Sequence, residues 1–279
     1  LAGEGSVCFG YDHDISQDHD FGPHFCIWIP ERIYQENGGR LEAAYDALPK
    51  TYRGYQRSSS RQTLIRRGIM TVEGFYRKYT GILHIPADAK EWFQIPQGFL
   101  SVATNGAVFE DPYGEITRRR EYLLAYYPED VIRKKLAAKT VAMAQAGQYN
   151  YVRCCRRGEW ESAYLAGGEF VRAALSVIYL LNKKYMPFYK WAFRGVETLT
   201  ELRNAAVDLK AFVRLEDSSK NAVQKRILIE SICNEIVCEL RKKGYSTSNG
   251  DFLEPHGNSI MSGIQDDWLR SLHVMADYD

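Results

Sequence analysis

Gly5-Ser6, eleven intervening residues and then Asp18-His19-Asp20-Phe21 bring a glycine turn, a hydroxyl and two carboxylates into one short stretch. These groups suit metal-dependent phosphoryl transfer. Mg²⁺ binds through a few carboxylate oxygens, keeps several waters and takes its remaining ligands from substrate phosphates, so an Asp-x-Asp pair is a suitable half-site. A glycine lets the main chain approach a phosphate. The Ser hydroxyl and the exposed amides of a following helix start can then bind its oxygens. The apolar run Phe25, Cys26, Ile27, Trp28, Ile29 predicts a strand from about Phe21 to Ile29. If Asp18 opens that strand, its period of two puts both carboxylates on one face and His19 on the other.

Asp12, Asp14, Asp18 and Asp20 share this stretch with His13, His19 and His24. Carboxylates this dense repel one another unless a cation sits among them. Two other readings use the same residues. Asp and Gly are turn formers, so the stretch also reads as a solvated loop. Imidazoles among carboxylates also fit a transition-metal centre, which makes a metal-dependent hydrolase the rival enzyme reading. The opposed face of His19 counts against that centre.

The elements that must position these residues change in kind along the chain. Up to about residue 110 the pattern is mixed. It predicts a helical stretch from Pro30 to Leu48 interrupted at Gly38-Gly39, a strand over Thr63 to Val72, and a short helix from Glu73 to Tyr79 ended by Gly81. Asp111-Pro112-Tyr113-Gly114 is a turn, and helical periodicity follows it. The expected helices run from Pro128 to a stop at Gly147, from Glu161 to Leu181, near Val196 to Val213, from Asn221 to Lys242, and from Asp266 to Ala276. The fold class is therefore α/β (α+β) with a short mixed sheet over residues 1–115, followed by an all-α helical bundle over 116–279.

With 279 residues and 45% hydrophobic composition, the chain can bury two domain cores. A formal net charge of +1 supplies no global field for a nucleic acid or a membrane. The runs Arg66-Arg67 and Arg118-Arg119-Arg120 keep a tRNA acceptor in view as a local possibility. The six cysteines contain no Cys-x-x-Cys pair, which fits a reducing cytoplasm. The longest apolar run, Ala173 to Leu181, is short for a bilayer span, so no membrane partner is expected. The sequence opens at Leu1 and enters the Gly-Ser motif at once, which suggests a preceding segment.

Gly5-Ser6 through Asp18-x-Asp20 resembles the signature of the nucleotidyltransferase superfamily, a Gly-[Gly/Ser] followed at nine to thirteen residues by Asp-x-[Asp/Glu]. More closely, the chain is similar to an uncharacterised bacterial family with this polymerase-beta-like fold, related to aminoglycoside nucleotidyltransferases. That likeness rests on several patches: Phe9-Gly10-Tyr11-Asp12, Asp18 through Pro23, Asn105-Gly106-Ala107-Val108-Phe109 with Asp111, Tyr127-Pro128-Glu129-Asp130-Val131, Arg153 with Gly158-Glu159, and Tyr185 with Pro187, Lys190 and Trp191.

The resemblance implies that Asp18 and Asp20 hold Mg²⁺ or Mn²⁺, and that Gly5 and Ser6 cradle the phosphates of ATP or another NTP. It implies an acceptor in the cleft between the domains, with Arg153 and Lys190, and Arg156 beside them, reaching the triphosphate and Glu159 as general base. It also implies a third carboxylate on a following strand. That strand reads Arg66-Arg67-Gly68-Ile69-Met70-Thr71-Val72 without an acid, so Glu73, Glu110 and Asp111 are the candidates. The expected activity is transfer of an NMP, AMP first, to an acceptor hydroxyl with release of pyrophosphate. The alternative in another class is a weakly active or inactive nucleotide-binding or interaction protein of the same fold.

Overall fold

A computed structural model describes residues 1–17, 21–58 and 66–279. In chain order its elements are α1 (Ser6–Phe9), a 3-10 turn (Asp14–Ser16), β1 (Cys26–Ile29), α2 (Glu31–Asp46), β2 (Thr51–Tyr52), β3 (Tyr55–Gln56), β4 (Gly68–Thr71) and α3 (Val72–Thr80). Then follow α4 (Ala89–Gln94), α5 (Gln97–Thr104), α6 (Glu115–Leu124), α7 (Glu129–Met143), a π-helical stretch (Ala144–Tyr151), α8 (Val152–Arg157) and α9 (Trp160–Leu181). The chain finishes with α10 (Tyr189–Gly195), a 3-10 turn (Val196–Thr198), α11 (Arg203–Arg214), α12 (Ala222–Lys242), α13 (Leu253–Ser262) and α14 (Asp267–Ser271). The protein is mostly helical. It forms two compact units, one of Leu1–Ala87 with Phe99–Ala125, the other of Asp88–Gly98 with Tyr126–Asp279.

In the first unit β1 and β4 pair in parallel, Cys26 opposite Gly68 and Ile29 opposite Thr71, with α2 in the connection that a parallel pair requires. β2 and β3 form a separate antiparallel hairpin. Among the described residues the sheet is thus two short ladders, where one mixed sheet was expected. The strand at β1 begins at Cys26 and not at Phe21, so it does not carry the alternation back to Asp18 and Asp20. Those two carboxylates and His19 lie outside the described residues, as does the start of the strand expected from Thr63. α2 runs unbroken through Gly38, where a Cβ would stand 3.1 Å from the Tyr34 ring.

Tyr45 of α2 ties the helix to the ladder: its hydroxyl donates to Phe25 O (3.1 Å) and its ring meets Phe25 edge-on at 5.1 Å. After β4, Thr71 caps α3 by accepting from Gly74 N, and Gly81 ends the helix at φ 79°. Phe75 of α3 is the centre of an aromatic cluster with Trp28, Tyr76 and Tyr79, each ring pair 5.1–5.3 Å apart.

In the second unit α9 and α13 pack on α7, and α11 packs on α12. Length and composition alone would let α9 cross a membrane. Its Phe170, Ala174, Ile178 and Leu181 are buried in the bundle, which is the arrangement of a core helix. The helix beginning at Glu129 does not stop at Gly147. It passes through a π turn into α8 and ends at Gly158, φ 73°. Gly147 serves packing instead, since a Cβ there would stand 2.3 Å from Phe170 Cδ2.

The helix expected near Val196–Val213 is two helices, α10 and α11, with a 3-10 turn between. The terminal helix is only Asp267–Ser271, capped by the Asp266 side chain. α7 is buried around most of its circumference although it carries Lys134, Lys135 and Lys139. Buried ammonium groups require anionic or carbonyl partners.

Candidate functional site

Gly5 is the N-cap of α1 in extended conformation, Cys8 N donates to Gly5 O at 3.0 Å, and Gly10 closes the turn at φ 69°. Four residues cannot hold this shape alone. The Gly-Ser turn is held from a distance in sequence. Leu1 and Ala107 exchange two hydrogen bonds of 2.7 and 2.8 Å. The Asn105 side chain accepts from Gly3 N at 3.0 Å and donates to Gly3 O at 2.8 Å. Gly106 has φ 70°, and a Cβ there would lie 2.0 Å from Leu1 O. Asn105 and Gly106 therefore brace the turn.

Cations surround it. Glu4 pairs with Lys78 (3.0 Å) and Arg66 (3.2 Å) and accepts from the Tyr79 hydroxyl (3.3 Å). Burial raises the Glu4 carboxyl, yet Lys78 and Arg66 outweigh it and hold the group below the usual range. The guanidinium of Arg67 lies against the turn, with Nη2 3.5 Å from where a Cβ on Gly5 would stand. It also faces the Cys8 and Cys26 thiols, which burial pushes up despite that positive charge. Those cysteines are neutral thiols and not nucleophiles at neutral pH. Arg67 is the site residue that sequence reasoning missed, having taken Arg66-Arg67 for a nucleic-acid signal. Its position just ahead of β4, the partner of β1, was the available clue.

The Ser6 hydroxyl donates to Asp12 Oδ1 at 2.7 Å, which folds the first acid of the Asp-rich stretch back onto the turn. His13 Nδ1 accepts from Ile15 N (3.2 Å), and His24 Nε2 accepts from Ser58 N (3.0 Å). These nitrogens serve the backbone. Among the described residues no group of three or more His, Cys, Asp or Glu side chains is arranged to hold a metal.

Two of the three acids weighed as third carboxylate are engaged with backbone amides. Glu73 Oε2 accepts from Glu31 N at 3.1 Å, past the carboxyl ends of β1 and β4. Asp111 Oδ2 accepts from Thr117 N at 2.8 Å. Burial raises the Asp111 carboxyl, but hydrogen bonds from the Thr117 amide and side chain and from the Gly114 and Glu115 amides together hold it below its ordinary value. Glu110 is exposed beside it.

In the helical unit Arg153 is exposed on α8, where its guanidinium donates to the Tyr149 hydroxyl and sits 4.8 Å from that ring's centre. Arg156 is exposed in the last turn of α8, where a cation complements the helix dipole. Glu159 stands exposed at the N-cap of α9 without a side-chain capping bond. Lys190 is exposed on α10, its ammonium 5.6 Å from the Trp191 ring.

Residues 92–192 match a domain of unknown function, DUF4037, and this segment of the chain is similar to that uncharacterised family. The match takes in Glu110, Asp111, Arg153, Glu159 and Lys190 and leaves out the Gly5-Ser6 turn. No curated protein and no solved structure matches the chain.

Proposed function

We propose that the protein is a Mg²⁺-dependent nucleotidyltransferase that moves an NMP, AMP in the simplest case, from an NTP to an acceptor hydroxyl and releases pyrophosphate. The observation that carries this reading is the Arg67 guanidinium beside the Gly5-Ser6 helix start, on the same turn that leads to Asp18-x-Asp20. A planar guanidinium next to open helix amides is suited to a phosphate chain. Carboxylate oxygens suit a hard cation, so Asp18 and Asp20 would hold Mg²⁺ or Mn²⁺, which neutralises charge on the phosphates when bound.

Gly5, Ser6 and Arg67 fix the β and γ phosphates in this reading, which leaves the α-phosphorus open to attack. The acceptor oxygen forms a bond to that phosphorus, the bond to the pyrophosphate oxygen breaks, and the hydroxyl proton passes to a carboxylate base, the role the resemblance gives Glu159. The resemblance likewise gives Arg153 and Lys190 the developing charge, so catalysis would rest on positioning and electrostatics. Calorimetric titration with ATP and Mg²⁺ tests the proposal. Binding by the wild type and its loss in Asp18→Asn, Asp20→Asn are expected, and equal binding by the two proteins overturns the assignment.

A second reading, a nucleotide-binding protein with little turnover, is favoured by the engagement of Glu73 and Asp111 with backbone amides. Incubation with α-labelled NTPs and a cell lysate separates the two. A labelled product supports the transferase, and tight ATP binding with no labelled product supports the binding protein.

A further inference from the structure

Three lysines of α7 converge on the segment that follows α14. Lys134 Nζ donates to Val274 O (3.0 Å) and Ala276 O (2.6 Å). Lys135 Nζ, fully buried, donates to Asp277 Oδ1 (3.0 Å) and Asp279 Oδ2 (3.3 Å). Lys139 Nζ lies 3.0 Å from Asp277 Oδ2 and 3.4 Å from the main-chain oxygen of Asp279. Gln97, buried at the start of α5, completes the ring, with its backbone N–H 2.6 Å from Asp279 Oδ1 and its Nε2 2.8 Å from Oδ2. That amide also donates to Ser176 Oγ at 2.7 Å, which holds its orientation. Aromatic rings wall the site: Lys135 sits 5.3 Å from the Phe93 centre and 5.4 Å from that of Tyr127.

The site is built for two linked anionic centres. Lys135 is shared between two carboxylates, a backbone amide at a helix start points at one of them, and Lys139 reaches the other. A pyrophosphate group presents that pattern of charge, two anionic centres bridged within reach of one cation. Asp277 Oδ2 pairs with Lys139 at 3.0 Å, so the two carboxylates stand where such a group would. Besides these ion pairs, the segment is held by the Gln97 bonds to Asp279, by the Lys134 bonds to Val274 O and Ala276 O and by the Tyr278 ring against Phe93. Residues 272–279 form neither helix nor strand, and the main-chain bond within them is Ala276 N to His273 O. Tyr278 is half exposed, resting edge-on against Phe93 at 5.4 Å. Emptying the site would strand buried ammonium groups, so an anion must replace the one that leaves.

We propose that Gln97, Lys135 and Lys139 form a binding site for a diphosphate group, and that Asp277 and Asp279 occupy it in cis as an intramolecular competitor. The site stands on observations independent of the Asp18-x-Asp20 reading. The segment closes it at rest, and a ligand carrying a diphosphate opens it by exchange of one anion pair for another.

Inorganic pyrophosphate without metal is the probe. An intramolecular competitor lowers apparent affinity by the fraction of time the site is open, so a segment bound about 90% of the time weakens binding about tenfold. Asp277→Asn, Asp279→Asn should bind pyrophosphate about tenfold more tightly than the wild type, and adding Lys139→Gln should abolish the gain. Equal affinity in wild type and double variant overturns the proposal. Should the double variant fail to fold, hydrogen exchange on the wild type decides: pyrophosphate should raise exchange at residues 274–279, and unchanged protection overturns it. The Asp18→Asn, Asp20→Asn protein should keep this response, which separates the site from the one proposed for the nucleotide.

Discussion

Arg67 and Lys134 show how neighbours set what a cation does. Arg67 is half-buried beside Gly5, and under the proposed function its guanidinium would add bidentate contacts to a phosphate that a neutral amide cannot match. Arg67→Gln should weaken ATP binding about tenfold in the calorimetric titration, roughly 1.4 kcal/mol, with little change in the thermal midpoint. Lys134 is fully buried, and burial pushes its ammonium down from the ordinary 10.5 to about 8, with Lys135 adding to the fall and Asp277 opposing it. Between pH 8 and 10.5 the unfolded chain binds this proton and the folded one does not, so stability gained from this group rises with pH in that window. Urea unfolding at pH 8 and pH 10 should show the wild type gaining stability relative to Lys134→Met. A constant difference across the two pH values would contradict the shifted proton.

At the scale of elements, the informative glycine is Gly147. Sequence punctuation predicts a helix stop there, and under that reading alanine would be harmless or mildly stabilising. In the fold its missing Cβ admits the Phe170 ring of α9 against the π-helical stretch. Gly147→Ala should therefore destabilise the protein by about 2–3 kcal/mol through overpacking, read as a lower urea midpoint. A Phe170→Leu background should reduce that cost.

Other elements were legible because their determinants are local. Gly81 past Tyr79, the Asp111 to Gly114 turn, the periodic Ile229, Ile232, Ile236 and Leu240 of α12, and the long apolar α9 all carry caps or faces within one stretch of chain. The strand at Phe21 was overextended because its limit is set by β4, forty residues on, and not by its own apolar pattern.

For the molecule as a whole, charge is more informative by destination than by sum. Arg118 donates to Tyr113 O, Arg119 to Leu83 O and Glu115, and Arg120 to Thr104 O and Gly106 O. The arginine run that suggested a nucleic acid is thus occupied in holding carbonyls and a carboxylate of its own unit. With a formal net charge of +1 as well, tRNA retention in filter binding should stay at background at about micromolar protein and physiological salt. Salt-dependent retention would return a tRNA acceptor to consideration.

The amino-acid sequence by itself determined the mixed-then-helical order of elements, the ends of the helices over 31–46, 160–181 and 222–242, and the Gly5-Ser6 to Asp18-x-Asp20 spacing on which the functional proposal rests, since spacing and capping act within a few residues. Only the tertiary structure decided that Arg67 stands at the Gly-Ser turn, that Asn105 and Gly106 brace it, that Glu73 and Asp111 serve backbone amides, and that buried lysines of α7 grip Asp277 and Asp279. Each of those depends on a partner far away in the chain, and the strength of a charge or a hydrogen bond is set by the partner and the burial that folding supplies.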